Sequence, residues 1–225
     1  MAIGIADGLK AAPQARKIKE SDRAYEALKQ LIVSLQLPPG TVIEEARLRQ
    51  QVAVGRTPLR EALYRLADLG LVIVAPHRGF FVSELSATDL QQLTELRLVL
   101  EGTAARLAAE RAVPSLAPAL RAALHQTEPA IDTHDLSTLI SIDLTFHSLI
   151  ARASGNRYLE DALHRHYTMM LRFWYLSFDR AGHLPDVMRE HQNIVAAIEQ
   201  RDSVSAEAAM RFHVVEFRNK VRAIL

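Results

Sequence analysis

The sequence predicts a mainly α fold in two parts: an N-terminal winged helix-turn-helix with a small β-wing, then an all-α antiparallel helical bundle. Three patterns carry that expectation. Helix-spaced apolar residues before Gly70 are interrupted by turn-forming sequence. Two short apolar runs then flank the tip Pro76-His77-Arg78-Gly79. Everything after Ser86 keeps a helical period.

Residues 1–20 lack a coherent apolar period and read as a mobile arm. Residues 21–83 make up the winged unit, 84–87 the linker and 88–225 the bundle. Over residues 22–35, Ala24, Leu28, Leu31, Ile32 and Leu35 share one helical face, and Leu37-Pro38-Pro39-Gly40 stops that helix. A short helix is expected over 45–51 and a third over 57–69. Thr57 is placed as the cap of the third helix, Pro58 at its first helical position and Gly70 as its terminator. Leu71-Val72-Ile73-Val74 and Phe80-Phe81-Val82 read as strands, with Gly79 supplying the turn. Ser86-Ala87-Thr88-Asp89 has the pattern of a capping box. Six bundle helices are expected, over 87–111, 114–126, 135–153, 156–178, 185–200 and 202–223. Their breaks fall at Pro114, residues 127–133, Gly155-Asn156, residues 182–185 and Arg201-Asp202.

The absence of cysteine excludes disulfides and thiolate metal sites, so any metal takes nitrogen and oxygen ligands. No apolar run is long enough for a bilayer and the start has no signal-peptide pattern. The expectation is a cytoplasmic chain without a membrane partner. The net charge of +1 divides unevenly: residues 1–84 carry 12 basic and 9 acidic groups, residues 85–225 carry 15 and 17. The excess is small, but basic groups cluster near Arg56, and local placement governs phosphate binding.

The run Val54-Gly55-Arg56-Thr57-Pro58-Leu59-Arg60 suits a helix that reads DNA. Arg56 and Arg60 lie one helical turn apart on one face, where arginines reach guanine edges or phosphates. Thr57 offers a hydroxyl and a helix-terminal N–H to a phosphate. Leu59, Leu63, Leu66 and Leu69 supply the opposite, apolar face. His77, Arg78 and Gly79 at the wing tip are placed to enter a minor groove or touch backbone. The competing reading, a solvated amphipathic helix followed by a hairpin, accounts for the arginines alone but not for the three-helix order and wing together.

In the second part, Asp143 and His147 share a helical face, and His191 and His213 sit on later helices with apolar residues following at core spacing. That pattern allows one carboxylate and three imidazoles to converge inside the bundle, a donor set suited to Zn²⁺, Ni²⁺ or Mn²⁺. Each histidine taken singly reads equally as an ordinary core or surface group. His125, His134, His164, His166 and His183 are left in that class.

The first part, from Gly40-(x2)-Ile43-x-Glu45-(x2)-Leu48 through Val54–Leu63 to Gly70-Leu71-Val72 and Arg78-Gly79-Phe80-Phe81-Val82, resembles the winged helix-turn-helix of GntR-family regulators. The resemblance implies DNA contacts at Arg56, Thr57 and Arg60, with Gly79 at the wing tip. Gly55 stands where the family usually has Ser or Thr, which removes one phosphate contact. Ala46 stands where many members have Arg, and Arg47 or Arg49 substitutes. Residues 87–222 resemble the FCD ligand-binding domain of the FadR branch, in its shorter, VanR-like, six-helix version. Its carriers are Leu96-Arg97-(x3)-Glu101, Asp143-(x2)-Phe146-His147, Ser154-Gly155-Asn156, Glu190-His191-(x2)-Ile194 and Met210-(x2)-His213.

That second resemblance implies a divalent metal on Asp143, His147, His191 and His213, with a small carboxylate effector beside it. Arg97 is then a candidate partner for the acid, against an intrahelical pair with Glu101, and Arg172 and Asn193 are further pocket candidates. The function expected is a homodimeric DNA-binding regulator, a repressor of a palindromic operator, controlled by a small organic acid. A metal that is purely structural or directly sensed fits the same ligands. A metal-dependent enzyme is the remote alternative, because no general base and no Gly-rich phosphate loop is evident.

Overall fold

The computed structural model describes residues 19–178 and 184–225. The expected arm up to residue 18, most of the 182–185 break and His183 lie outside the described residues. Three helices open the fold: α1 (Glu20–Val33), α2 (Glu45–Val52) and α3 (Arg56–Asp68). The strands β1 (Val72–Ala75) and β2 (Gly79–Val82) follow as an antiparallel hairpin, with Val72 opposite Val82 and Ala75 opposite Gly79. The bundle comprises α4 (Ala87–Glu110), α5 (Leu116–Leu124), α6 (Thr127–Asp132), α7 (Leu136–Ala153), α8 (Arg157–Phe178), α9 (Leu184–Glu199) and α10 (Ser203–Arg222).

Three local expectations need correction. The cap of α3 is Gly55 in extended conformation, so Arg56, Thr57 and Pro58 occupy the first three helical positions. Proline is tolerated there because first-turn N–H groups have no intrahelical acceptor. Thr57 makes no capping bond. The helix over residues 22–35 ends at Val33, because Leu35 takes a positive φ of 59°. The break at 127–133 contains the helix α6, which makes seven bundle helices among the described residues. Pro129 sits in the first turn of α6 and therefore does not prevent it. His134, at φ 54°, stops it instead.

The other termini follow their sequence signals. Gly70, at φ 76°, lets its own N–H reach Ala67 O and the Leu71 N–H reach Leu66 O, closing α3. Gly79, at φ 96°, turns the wing, and His77 at the tip is also left-handed. Ser86 Oγ accepts from the Asp89 N–H while the Asp89 carboxylate accepts from the Ser86 N–H, a complete capping box on α4. A short bridge from Val42 to Phe81 adds to the wing, a pairing too brief to leave a sequence signal.

Two cores result. Leu28 and Ile32 of α1, Leu59, Leu63 and Leu66 of α3, and Phe80 and Val82 of β2 fill the N-terminal core. Alanines of α4 and residues of α5, α7, α9 and α10 fill the bundle core. Gly102 lets α4 and α10 approach closely, since a Cβ there would lie 3.0 Å from Arg211 Cγ. Helix α8 touches both cores: Met169, Leu171 and Tyr175 pack on the N-terminal one, while Leu163 and Tyr167 belong to the bundle.

Ser86→Ala and Asp89→Ala are each expected to lower the unfolding free energy by about 1 kcal/mol in denaturant titration. The double variant should lose less than the sum, because both act through one reciprocal cap. Strict additivity would contradict the capping box.

Candidate metal centre and nucleic-acid interface

The N-terminus of α3 is presented to solvent. Arg56 and Thr57 are exposed, and with Gly55 as cap the first-turn N–H groups point outward beside them. Arg60, one turn on, is half-buried. Its Nε lies 3.8 Å from Glu45 Oε2 and its guanidinium sits 5.5 Å from the centre of the Phe80 ring. The side chain is thus steadied by α2 and the wing rather than free. Arg47 and Arg49 of α2 are exposed, as are His77, Arg78 and Gly79 at the wing tip, and Arg78 lies over Phe81. Arg65 turns the other way, to Asp22 and the Tyr25 ring of α1, and so braces the unit.

Inside the bundle, α7 contributes Asp143 and His147, α9 contributes His191 and α10 contributes His213. All four are buried, and one donor atom from each lies within 4.8 Å of all the others. Asp143 Oδ1 is 3.6 Å from His147 Nε2 and 3.4 Å from His191 Nε2. Asp143 Oδ1 and the Nε2 atoms of all three histidines are buried without a hydrogen-bond partner. Orphaned polar atoms of this kind are costly, and four converging on one point fit a cation. One carboxylate oxygen and three imidazole nitrogens match borderline divalent ions such as Zn²⁺ or Ni²⁺.

The far sides of the rings are held by acids. Glu101 of α4 places Oε2 2.7 Å from His147 Nδ1, and its other oxygen accepts from Arg97 Nε. Glu190 of α9 lies 2.8 Å from His213 Nδ1 and also accepts from Lys220 Nζ at 3.1 Å. Such partners fix the ring orientation that turns Nε2 inward. These positioning roles were not legible beforehand. The one-turn spacing of Arg97 and Glu101 signalled a pair, but Glu190, adjacent to His191 in sequence, reaches a histidine of another helix.

Burial alone would raise the Glu101 carboxyl, yet Arg97 and His147 hold it well below the usual carboxylate range. Burial would likewise raise Asp143, and His147 and His191 hold it well below. Burial opposes charge on His147, but Glu101 and Asp143 push it up to about 9. Burial lowers His191, and burial with His191 and His147 as neighbours drives His213 well below its ordinary value.

The three effector candidates separate. Arg97 is buried and bound to Glu101, but its Nη1 is buried without a partner. Arg172 does not face the metal cluster: its guanidinium donates to the Ser83 hydroxyl at 2.8 Å and to the Ser83 carbonyl, just beyond β2. Burial lowers it to about 10. Asn193 is exposed, because α9 turns it outward when His191 and Ile194 face in. Beside the cluster, a cavity of about 20 Å³ starts at Asp143 and His191 and is walled by Leu139, Ile142, Trp174, Val187 and Met188, with Thr127. Trp174 was expected only as core or subunit surface.

At neutral pH His147 is the one histidine of the cluster that carries a proton. A divalent cation needs its Nε2 free, so uptake is expected to release about one proton and to strengthen as pH rises toward about 9. Calorimetry in buffers of different ionisation enthalpy counts that proton. A count near zero or near three would contradict this charge assignment.

Comparison with known proteins agrees with this architecture. The FCD domain profile matches residues 92–216, and the profile described as bacterial regulatory proteins, gntR family, matches residues 20–82. The HTH-type transcriptional repressor RspR of Escherichia coli (strain K12) is 30% identical over 204 residues, covering 91% of this chain and 90% of its own. The Nta operon transcriptional regulator of Aminobacter aminovorans is 36% identical over 129 residues, covering 57% of this chain and 61% of its own. Among solved structures, E. coli McbR/YncC superposes with a TM-score of 0.77 at 23% identity, over 92% of this chain and 97% of that one. A putative GntR regulator from Rhodococcus sp. RHA1 gives 0.76 at 19% identity, over 91% and 98%. These two share the fold. No described helix is long and apolar enough to cross a membrane. The chain belongs to the GntR family, a DNA-binding transcription regulator with an FCD domain rather than an enzyme.

Proposed function

We propose that the chain is a repressor that binds a palindromic operator as a homodimer and responds to a small carboxylate bound with a divalent metal at Asp143, His147, His191 and His213. Residues 21–83 read DNA, 84–87 link, and 88–225 sense and dimerise. The observation that carries the sensing half is the set of four orphaned, buried donor atoms aimed at one point. RspR, similar over most of its length, is named a repressor, which supports the same role here.

In this reading Arg56, Thr57 and Arg60 contact the major groove, Arg47 and Arg49 the adjacent backbone, and His77, Arg78 and Gly79 the wing-side groove. Two-fold symmetry of the protein demands a symmetric operator. When bound, the cation supplies a Lewis-acidic attachment for a carboxylate oxygen. Glu101 and Glu190 keep His147 and His213 in their inward orientation, and the unpartnered Arg97 Nη1 offers the acid a charged donor. Signal reaches DNA through α8, whose Trp174 walls the cavity while Arg172 grips Ser83 behind the wing. Because coupling is reciprocal, operator DNA must change acid affinity by the factor that acid changes operator affinity.

A structural metal is the second reading, favoured by the near-complete burial of all four ligands. Chelation distinguishes the two: melting of the bundle supports the structural role, a reversible change in operator affinity at unchanged fold supports sensing.

Arg60→Ala is expected to weaken operator binding by about 1–3 kcal/mol at fixed salt, with the helical circular dichroism unchanged. Operator binding at full strength would place the reading helix elsewhere. His213→Ala should retain operator binding while losing metal and acid response. Arg172→Met should keep operator binding but cut the acid-induced change in operator affinity at least about fivefold. An undiminished response in titrations followed by fluorescence anisotropy would remove α8 as the route.

A further inference from the structure

The cavity beside the metal cluster restricts what it admits. Its walls are the side chains of Leu139, Ile142, Val187, Met188 and Trp174. Apart from Asp143 and His191, the only polar residue among its described walls is Thr127, whose Oγ1 is buried without a hydrogen-bond partner. No Lys or Arg is among the described walls. The volume of about 20 Å³ has room for a water-sized or methyl-sized group without rearrangement.

Charge sets a second limit. Around the site Glu101, Asp143 and Glu190 bring three negative charges, and Arg97 and Lys220 bring two positive ones. A divalent cation on neutral imidazoles then leaves one positive charge in excess. A monoanion neutralises it. A second carboxylate would be buried in an apolar wall with no partner, at the cost of an uncompensated charge.

Resting on the effector reading above, we propose that the ligand is a short monocarboxylate with a branched aliphatic body. Its acid group lies at the Asp143–His191 end and its carbon chain against Leu139, Ile142, Val187 and Met188. Thr127 offers its hydroxyl to at most one further polar group. Dicarboxylates, tricarboxylates and sugar acids are refused by the same walls, because each would bury polar groups that nothing there pairs.

The test is calorimetry on the full chain loaded with Zn²⁺, with isobutyrate and isovalerate set against succinate, citrate and gluconate. The branched monocarboxylates are expected to bind at least about tenfold more tightly. Equal or tighter binding of succinate, citrate or gluconate overturns the ligand class and leaves the metal-and-acid reading standing. If no acid of either set binds the loaded chain, the effector reading itself falls, and this class with it. Met188→Ala shortens a half-buried wall residue outside the ligand set. It is expected to shift preference toward the longer hexanoate, and an unchanged ranking overturns the placement of the carbon chain.

Discussion

The bundle is organised around a buried chain of charges. Arg97 and Glu101 of α4, Asp143 and His147 of α7, Glu190 and His191 of α9, and His213 and Lys220 of α10 meet in one polar seam through an otherwise apolar interior. Placing isolated charges there would cost several kcal/mol each, so the seam exists only because every member faces an opposite one. It follows that helix positions in this half are fixed by charge pairing as much as by packing. The alanine-rich face of α4 and the close approach at Gly102 give little shape specificity of their own. The seam names which residue of α4 must stand beside which residue of α7 and α10.

The reading surface is set by a different economy. Its side chains are exposed, and their contacts with neighbours are weak surface pairs. Arg60 leans on Glu45 and Phe80, Arg23 donates to the Ala53 carbonyl, and Arg65 holds Asp22. None of these contributes much stability alone. Together they tie α1, α2, α3 and the wing, so the guanidinium of Arg60 meets DNA already ordered and loses little rotamer freedom on binding. Glu45 has a second consequence: it must release Arg60 before a phosphate or base takes its place.

Much of this was legible in the sequence because it rests on local rules. Gly70, Gly79 and the Ser86–Asp89 box mark their termini by backbone and capping chemistry that needs no partner elsewhere. The one-turn spacing of Asp143 and His147 put two donors on one face. What escaped depends on how helices meet. Arg172 looked like an acid-binding residue because it is a cation on a pocket helix, yet its neighbour across the domain boundary is Ser83. Asn193 failed for a rotational reason, since two residues beyond His191 is the opposite side of α9. Helix α6 was hidden by Pro129, whose breaking effect depends on its place within the turn. Glu190 acts on His213 only because α9 and α10 are antiparallel neighbours.

Helix α8 is where the two halves stop being separate problems. Met170, Phe173 and Trp174 lie in an apolar cluster with Phe217 and Val221, while Met169, Leu171 and Tyr175 pack on the N-terminal core. Arg172 lies between them, fully buried, with its Nε unpartnered and its terminal nitrogens on Ser83. A buried guanidinium with few partners is intolerant of displacement, because any shift that loses the Ser83 contacts strands a charge. Motion of Trp174 at the cavity is therefore not absorbed by slack at the domain boundary. It either leaves α8 in place or moves the residue that follows β2. Typical allosteric couplings amount to about 1–3 kcal/mol, within what charged hydrogen bonds of this kind contribute. A contact of that strength is enough to bias which wing orientation predominates without holding either one permanently.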